Sequence, residues 1–362
     1  MKIAESHPRR RVAVLSTVIA AIMLYLFIQD VFGAVKKQEE TEIITERSAW
    51  LADWRWEAGT NDLEVVAGGL TSLQVFAAYF DESDSLLLTD KFREAMPRIK
   101  QLAEQNELND LYLTVVNDIK YPNDTDSQKN TSLVTRLVAD WESRSRHIDE
   151  IIAALETFGF TGAELDYEKI AEEDWPKFAQ FIHELDYRLQ KKGKSLRVVL
   201  EPRAPIERIK LPKGPAYVMM AYNLYGGHSG PGPKADAAFI RKHATRMKKV
   251  PGNSYIALSS GGFDWHSGTG KAVGITEKQA SELATRSEST PERDKASGSL
   301  HFEYNDSDNV KHTVWYADGT TLSQWIDAAK AKGIQNIAIW RLDELGSESL
   351  EQLRIQPGYK IE

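Results

Sequence analysis

The sequence predicts a (β/α)8 TIM barrel with a small α+β insertion between strands seven and eight, preceded by an N-terminal transmembrane helix. Eight apolar runs recur along the chain, and several are apolar throughout, as in strands buried on both faces of a parallel sheet. Segments with helical period lie between most of the runs, which is the alternation of a (β/α)8 barrel. Acidic and aromatic residues end several runs, where such a barrel places its chemistry.

The predicted strands and helices follow from two different periods in the sequence. The apolar runs are Trp50–Trp54, Leu73–Phe80, Asp110–Val116, Gly162–Asp166, Leu196–Leu200, Tyr217–Tyr222, Tyr255–Ser260 and Asn336–Trp340. The amphipathic helical stripes run through Ile148–Phe158, Trp175–Leu189, Phe239–Met247 and Leu322–Ala329. Pro176 stands near the start of the second stripe, a favoured place for proline, and Gly333 follows the last one.

An uncharged apolar segment, Val12–Gln29, predicts a membrane-spanning helix near the N-terminus. Its length is close to the ~20 residues that cross a bilayer as a helix. Because Arg9–Arg11 precede it, the positive-inside rule keeps the N-terminus in the cytoplasm and exports the rest. The alternative is a cleaved signal peptide, for which Val31–Gly33 is a passable cleavage site.

The resulting domain organisation has four parts. Residues 1–11 are cytoplasmic, 12–33 form a single-pass signal anchor in the cytoplasmic membrane, and 34–48 form a polar stalk. Residues 49–362 form the barrel, which lies outside the cytoplasm, in the periplasm or beyond the cell. Within it, about 264–320 form the insertion.

The insertion is predicted because the gap between strands seven and eight is too long for a simple crossover. It holds a capping-box pattern, Thr276-x-x-Gln279, which marks a helix start. It also holds a hairpin-like pair of segments, Leu300–Tyr304 and Lys311–Tyr316. We expect this α+β unit to form a wall of the active-site cleft.

The amino-acid composition argues against several classes of partner and of catalytic chemistry. The formal net charge is -8, from 45 basic and 53 acidic side chains, which argues against nucleic acid as a partner. The absence of cysteine excludes disulfides, thiol catalysis and cysteine-metal sites. The histidines show no His-x-x-x-His spacing, which argues against a zinc deacetylase or a zinc protease. We therefore expect neither a metal nor a cofactor.

Three carboxylates with strand period stand at the fourth apolar run: Glu164, Asp166 and Glu168. A period of two directs all three to one face, with Cα atoms about 6.6 Å apart. Like charges so close do not all ionise easily, so we expect the pKa of at least one to rise, as a general acid requires. The alternative is an exposed strand face with solvated acids.

The same stretch carries a resemblance to a known family. Glycoside hydrolase family 18 has Asp-Gly-x-Asp-x-Asp-x-Glu on its fourth barrel strand, and Thr161–Glu168 here reads Thr-Gly-Ala-Glu-Leu-Asp-Tyr-Glu. Met220–Asn223 resembles the family's Met-x-Tyr-Asp after strand six, and Trp340 its tryptophan on strand eight. His312–Tyr316 in the insertion looks most like the branch of spore-cortex and peptidoglycan-type N-acetylglucosaminidases.

The resemblance implies roles for the matching residues. Glu168 would be the general acid, and Asp166 would orient and stabilise the substrate's acetamido group. The oxygen of that group, rather than a protein carboxylate, would attack the anomeric carbon, which is the substrate-assisted exception among retaining glycosidases. Tyr222 would hydrogen-bond the acetamido oxygen, and Trp340 would form the floor under the reacting sugar.

Departures from the family pattern concern the surrounding residues. Thr161 and Glu164 replace aspartates, and Asn223 replaces an aspartate that usually helps to bind substrate. We assign Glu164, Asn223, Trp340 and Arg203 to substrate binding. The alternative for the acids is a structural ion pair of Asp166 and Glu168 with Arg203 or Arg341.

Two functional hypotheses follow. The first is an exported, membrane-anchored glycoside hydrolase that cleaves β-linked N-acetylglucosamine-containing polysaccharide, peptidoglycan or chitin-like, by a retaining, substrate-assisted mechanism. The second is a lectin-like barrel that binds such glycans at the cell surface without cleaving them. Glu168 discriminates between them, since a binding module needs no acid. A glycan-assembly scaffold is a third interpretation.

Overall fold

A computed structural model describes residues 45–123 and 125–357. The strands are, in chain order, β1 Glu46–Ala52, β2 Ser72–Phe80, β3 Leu86–Leu88, β4 Asp110–Lys120, β5 Asp126–Ser127, β6 Gly162–Asp166, β7 Ser195–Leu200, β8 Ala216–Met220, β9 Ser254–Ser259, β10 Gly261–His266, β11 Ala272–Ile275, β12 Glu292–Arg293, β13 Leu300–Asn305, β14 Lys311–Ala317 and β15 Asn336–Trp340. The helices are α1 Trp56–Val66, α2 Asp90–Gln105, α3 Thr131–Leu137, α4 Trp141–Phe158, α5 Trp175–Gln190, α6 Ala237–Met247, α7 Glu277–Arg286, α8 Gly319–Lys330 and α9 Ser347–Arg354.

Eight parallel strands close into a barrel, which confirms the predicted architecture. The ring order is β1, β2, β4, β6, β7, β8, β9 and β15, and β15 returns to pair with β1. The predicted apolar runs match these strands because both of their faces are buried. The four predicted helical stripes fall within α4, α5, α6 and α8.

Local sequence signals account for where the helices begin and end. Asp140 and Asp236 are N-caps of α4 and α6, and each side chain accepts a hydrogen bond from a backbone N–H of the first turn. Gly159 follows α4 with φ 72°, a left-handed conformation that ends the helix and that glycine adopts without strain. Pro176 lies in the first turn of α5, as predicted.

Buried side chains form two layers separated by the barrel wall. The outer layer packs between the strands and the helices, with large members such as Phe80, Phe92 and Phe181. The inner layer fills the barrel and contains Trp50 and Tyr255 among other residues. Alternate residues of each strand therefore point to opposite layers, which is why the runs are mainly apolar along their whole length.

The insertion is a five-stranded antiparallel sheet with α7 packed beside it, in the order β11-β10-β14-β13-β12. The predicted hairpin corresponds to β13 and β14. The predicted capping box is present, with Thr276 and Gln279 exchanging two hydrogen bonds of 3.1 Å. The sheet begins at Gly261, and a Cβ at Gly262 would lie 1.7 Å from the Trp315 carbonyl oxygen, so only glycine fits there.

The predicted N-terminal parts lie largely outside the described residues. This holds for the cytoplasmic segment 1–11, the anchor 12–33 and the stalk as far as residue 44. The first strand begins at Glu46, earlier than the predicted start at Ala49, because residues from Glu46 onward pair with β15. Within the described ranges, every helix is too short or too polar to traverse a bilayer.

Candidate active site

The three acids around β6 occupy three different depths of the barrel. Glu164 lies within the strand and is fully buried, Asp166 is the last strand residue, and Glu168 follows the strand at the carboxyl end of the barrel. Asp166 and Glu168 line a cleft of about 1000 Å³, whereas Glu164 does not reach it. The three acids therefore lie on the same side of the strand, as predicted, but only Asp166 and Glu168 reach the cleft.

Glu164 is a structural residue of the barrel interior. Its carboxylate accepts hydrogen bonds from Trp50 Nε1 at 2.6 Å, Thr114 Oγ1 at 2.8 Å and Arg197 Nε at 2.9 Å. A carboxylate so satisfied and fully buried has no exposed face for a sugar, so its assignment to substrate binding is corrected here. The sequence did contain a signal for the partner, since Arg197 interrupts the apolar strand β7 and a buried arginine requires a carboxylate.

The buried carboxyl of Asp166 has a raised pKa. Burial raises the pKa of Asp166 well above its usual range, the neighbouring Glu168 and Glu164 add to the rise, and Lys129 opposes it. Among the described residues, no group forms a hydrogen bond with the buried Oδ1 of Asp166. Asp166 is thus the expected group with a raised pKa, and it offers one oxygen to a bound molecule.

Both the backbone and the carboxylate of Glu168 form contacts that fix its position. Its backbone N–H donates to Asn117 Oδ1 at 3.0 Å, and Asn117 Nδ2 donates to the Glu168 carbonyl at 2.9 Å. Its carboxylate receives Lys129 Nζ at 2.6 Å from Oε1 and 2.7 Å from Oε2. Burial lowers the pKa of Lys129, but the Glu168 carboxylate outweighs it, so the net shift is upward.

The cation that pairs with Glu168 is therefore Lys129, whereas the ion-pair alternative named Arg203 or Arg341. It lies in the loop between β5 and α3, with φ 53° and its backbone N–H donated to Asp118 Oδ1 at 2.7 Å. Arg341 pairs instead with Asp343. Arg203 is exposed and lies outside the lining of the cleft, so the structure does not bring it to the predicted substrate site.

The remaining predicted residues do meet at the cleft. Tyr222, Asn223 and Trp340 line it together with the two acids. Burial raises the pKa of Tyr222 well above its usual range, with Asp166 the next cause, so its hydroxyl keeps its proton as a donor. Trp340 packs edge-on against Phe76, with ring centroids 5.2 Å apart, which leaves it partly exposed to the cleft.

Further cleft residues were missed by the sequence reasoning. Trp54 follows β1 and is 38% exposed beside Phe76 and Arg341. Lys234 donates to Ser259 Oγ at 2.9 Å, and its burial, with a smaller effect of Arg341, lowers its pKa to about 7. The available signal for Trp54 was its place at a strand end, since aromatic residues there can pack on sugar rings.

The insertion contributes a wall of the cleft, as predicted, through Gly261–Phe263 and Gly274–Thr276. It also holds His266, Asp306 and His312, the one set of histidine and acidic side chains in the described part of the chain that is close enough together to bind a metal ion. These three residues lie outside the cleft lining.

Comparison with known proteins agrees with this geometry. The family model for glycosyl hydrolases family 18 matches residues 91–344. The glycosylase YvbX of Bacillus subtilis is 26% identical over 231 residues, which are 60% of this chain and 66% of that protein. The cortical fragment-lytic enzyme of Bacillus subtilis is 21% identical over 229 residues, 57% of this chain and 52% of that enzyme. The chain thus spans about half to two thirds of these curated relatives.

Solved structures show the same fold. The spore cortex-lytic enzyme SleL of Bacillus cereus superposes with a TM-score of 0.71 at 20% identity, over 85% of this chain and 73% of that one. A class V chitinase from Nicotiana tobaccum gives a TM-score of 0.66 at 14% identity, over 85% of this chain and 97% of that one. The predicted resemblance is confirmed.

Proposed function

Because the chain belongs to glycosyl hydrolases family 18, we propose that it cleaves β-linked N-acetylglucosamine-containing polysaccharide by a retaining, substrate-assisted mechanism. The observation that carries the proposal is the pair Asp166 and Glu168 at the open end of the barrel, in one cleft with Tyr222 and Trp340. A buried carboxyl with a strongly raised pKa, placed in a cleft beside a second carboxylate, is typical of a functional site.

The proposed roles follow from the geometry of each group. Glu168 protonates the leaving glycosidic oxygen, since it is the outermost acid and its backbone is fixed by Asn117. Asp166 orients the acetamido group with its unpartnered Oδ1. Tyr222 donates its hydroxyl to the acetamido oxygen, which attacks the anomeric carbon. Trp340 supports the apolar face of the sugar ring.

Lys129 adds a condition to this mechanism. Lys129 Nζ lies 2.6 Å from one carboxylate oxygen of Glu168 and 2.7 Å from the other, so it occupies the place that a glycosidic oxygen would take. Glu168 therefore acts only after Lys129 has moved away. Substrate in the cleft supplies a reason for the movement, because a sugar on the leaving-group side competes with Lys129 for the same carboxylate. The Lys129 side chain is 37% exposed.

The substrate class rests on the cleft and on the relatives. Trp54 and Trp340 both line the cleft, and two aromatic side chains suit a chain of sugar rings better than a small metabolite. The names of the relatives refer to spore cortex and to chitinases. We therefore propose a peptidoglycan or chitin-like polymer as the substrate.

The experiment is a product analysis. The purified chain is incubated separately with peptidoglycan, chitin oligomers and poly-N-acetylglucosamine, and the products are identified by mass spectrometry. Fragments ending in N-acetylglucosamine with wild type, and none with Glu168→Gln, would support the proposal. Cleavage of all three by the Glu168→Gln variant at the wild-type rate would contradict it.

A lectin-like barrel is the second candidate, and Lys129 is the observation that favours it. A cation held permanently on Glu168 would leave a site that binds glycan without protonating the glycosidic oxygen. Isothermal calorimetry with chitin oligomers separates the two, because saturable binding without any product under all conditions supports the lectin.

We also propose that residues 12–33 anchor the chain in the cytoplasmic membrane with the barrel outside, where cell-surface glycans are found. The uncharged segment and the preceding Arg9–Arg11 support this placement.

A further inference from the structure

The insertion carries a cluster of metal-ligating side chains at the far end of its central strand. β10 starts at the cleft with Gly261 and ends with His266. His312 of β14 is the direct cross-strand partner of His266, and the two ring centroids are 5.0 Å apart. Asp306, in the turn between β13 and β14, completes the set, and each residue offers one ligand atom within 4.8 Å of the others.

His312 is prepared as a ligand by its neighbours. Its Nδ1 lies 2.8 Å from Asp264 Oδ1 and donates to it, while Asp264 Oδ2 accepts the Tyr304 hydroxyl at 2.7 Å. In the neutral tautomer with the proton on Nδ1, the lone pair of the ring lies on Nε2. That atom is buried and has no hydrogen-bond partner among the described residues. A carboxylate that orients an imidazole in this way is the usual support of a metal-bound histidine.

Asp306 presents its second oxygen to the same point. Its Oδ1 accepts the backbone N–H groups of Asp308 at 3.0 Å and Val310 at 2.9 Å, which fixes the carboxylate in the turn. Its Oδ2 lies 3.4 Å from His312 Nε2. A ring nitrogen and a carboxylate oxygen thus face each other in the same place, and a single metal ion can bind both of them.

His266 can join the site at a defined structural cost. Its Nδ1 now accepts the backbone N–H groups of Gly268 at 3.1 Å and Thr269 at 3.2 Å. If Nδ1 binds a metal, the two amides lose this acceptor. If Nε2 binds instead, its proton moves to Nδ1 and the amides lose the acceptor as well. Both amides belong to an exposed loop, where water replaces the lost bonds.

We propose that His266, Asp306 and His312 bind one divalent transition-metal ion, with Zn²⁺ as the best fit, and that the ion fastens the end of β10 to the β13–β14 turn. Two imidazoles and one carboxylate suit Zn²⁺ better than Ca²⁺ or Mg²⁺, which prefer oxygen ligands only. Water completes a tetrahedral set on the exposed side. The ion is structural, because these residues lie outside the cleft lining.

The test is a calorimetric titration of the purified full-length chain with ZnCl2, and a parallel titration with Co²⁺ to record the absorption bands of a tetrahedral site. Wild type should take up one equivalent of either ion. Asp306→Asn keeps the oxygen that accepts the backbone N–H groups of the turn, and it should weaken metal binding at least ~10-fold. His266→Ala and His312→Ala should weaken it by at least as much. Asp264→Asn should weaken metal binding ~10–100-fold, because Asp264 orients the His312 ring. His301→Ala is the matched control, because His301 lies in the same sheet, stacked on Trp315.

A second measurement separates loss of a ligand from loss of fold. The amide NMR signals of Gly268 and Thr269 should shift on adding Zn²⁺ to wild type and to His301→Ala, and stay in place in folded Asp306→Asn. No saturable uptake by wild type would overturn the proposal, and so would uptake by Asp306→Asn and His266→Ala equal to wild type. Glycan cleavage is not a readout here, so the proposed function can fail or hold independently.

Discussion

At the scale of single residues, three carboxyl groups and two cations set the charge around β6. Arg197 neutralises Glu164 inside the barrel, and Lys129 neutralises Glu168 at its mouth. Asp166 lies between them, and the pKa of its buried carboxyl is raised well above its usual range, although Lys129 opposes the rise. The site thus combines one carboxyl with a raised pKa and a second carboxylate that is paired with a lysine.

Replacing Lys129 with Met should move the alkaline limb of the kcat/KM profile to higher pH. Lys129 lowers the pKa of Asp166, so its removal raises that pKa further, and the acid pair keeps its proton into a more alkaline range. A general acid works only while a proton is present, so activity should persist there. Lys120→Met is the control, because Lys120 lines the same cleft but pairs with Asp126. An alkaline limb that stays in place or moves to lower pH would refute this role of Lys129.

At the scale of the elements, β6 and β7 are joined inside the barrel by the Glu164–Arg197 pair. The two side chains are almost completely buried and are 33 residues apart in sequence. Sequence patterns predicted both strands, because a parallel strand buried on two faces is apolar over its whole length. They did not predict the pair, since which inward-pointing side chains meet depends on the register around the closed barrel. Lys129 was missed for a different reason, because it lies in the loop between β5 and α3, whose conformation the strand and helix periods do not predict.

Arg197→Met should destabilise the protein by about 3–5 kcal/mol, because it leaves the Glu164 carboxylate buried without its cation. The double variant Glu164→Gln with Arg197→Met should recover most of that loss, since both charges are then gone. Urea denaturation measures both values. Arg203→Met, an exposed arginine beyond the same strand, should stay within about 0.5 kcal/mol of wild type. Equal free energies of unfolding for Arg197→Met and wild type would show that the pair does not stabilise the fold.

The seam between β10 and β14 gives a second prediction at this scale. Gly262→Ala should lower the melting temperature and weaken glycan binding, because its Cβ would overlap the Trp315 carbonyl and push β10, a wall of the cleft, out of register. Gly274→Ala, in the neighbouring β11, has open space around its Cβ and should behave like wild type. Calorimetric melting of the two variants checks this, and equal melting temperatures would contradict it.

At the scale of the whole molecule, the barrel, the insertion and the cleft between them could all be predicted from the sequence. The site could be predicted at the strand ends because the carboxyl ends of all eight parallel strands lie at the same end of the barrel. Arg203 shows the limit of that reasoning, because it follows β7 in sequence but is exposed and lies outside the lining of the cleft. Residues after a strand end leave the barrel's regular geometry, so their directions depend on loop conformation.

The membrane topology also belongs to this scale. If the proposed anchor follows the positive-inside rule, a reporter enzyme fused after Glu362 should be active only outside the cytoplasmic membrane, because Arg9–Arg11 precede the apolar segment. The protein should also remain in the membrane fraction. Fractionation and reporter assays measure both. Reporter activity in the cytoplasm would refute the orientation, and release of a shortened soluble form would refute the anchor.

The most direct test of the central claim is a ¹H NMR time course of the anomeric signals during cleavage of an N-acetylated oligomer, with wild type and Glu168→Gln in parallel. Attack by the substrate's own acetamido group, followed by water, predicts that the β anomer forms first with wild type. Loss of the general acid predicts a rate at least about 10² lower with Glu168→Gln. An α anomer formed first, or equal rates for the two proteins, would contradict the account.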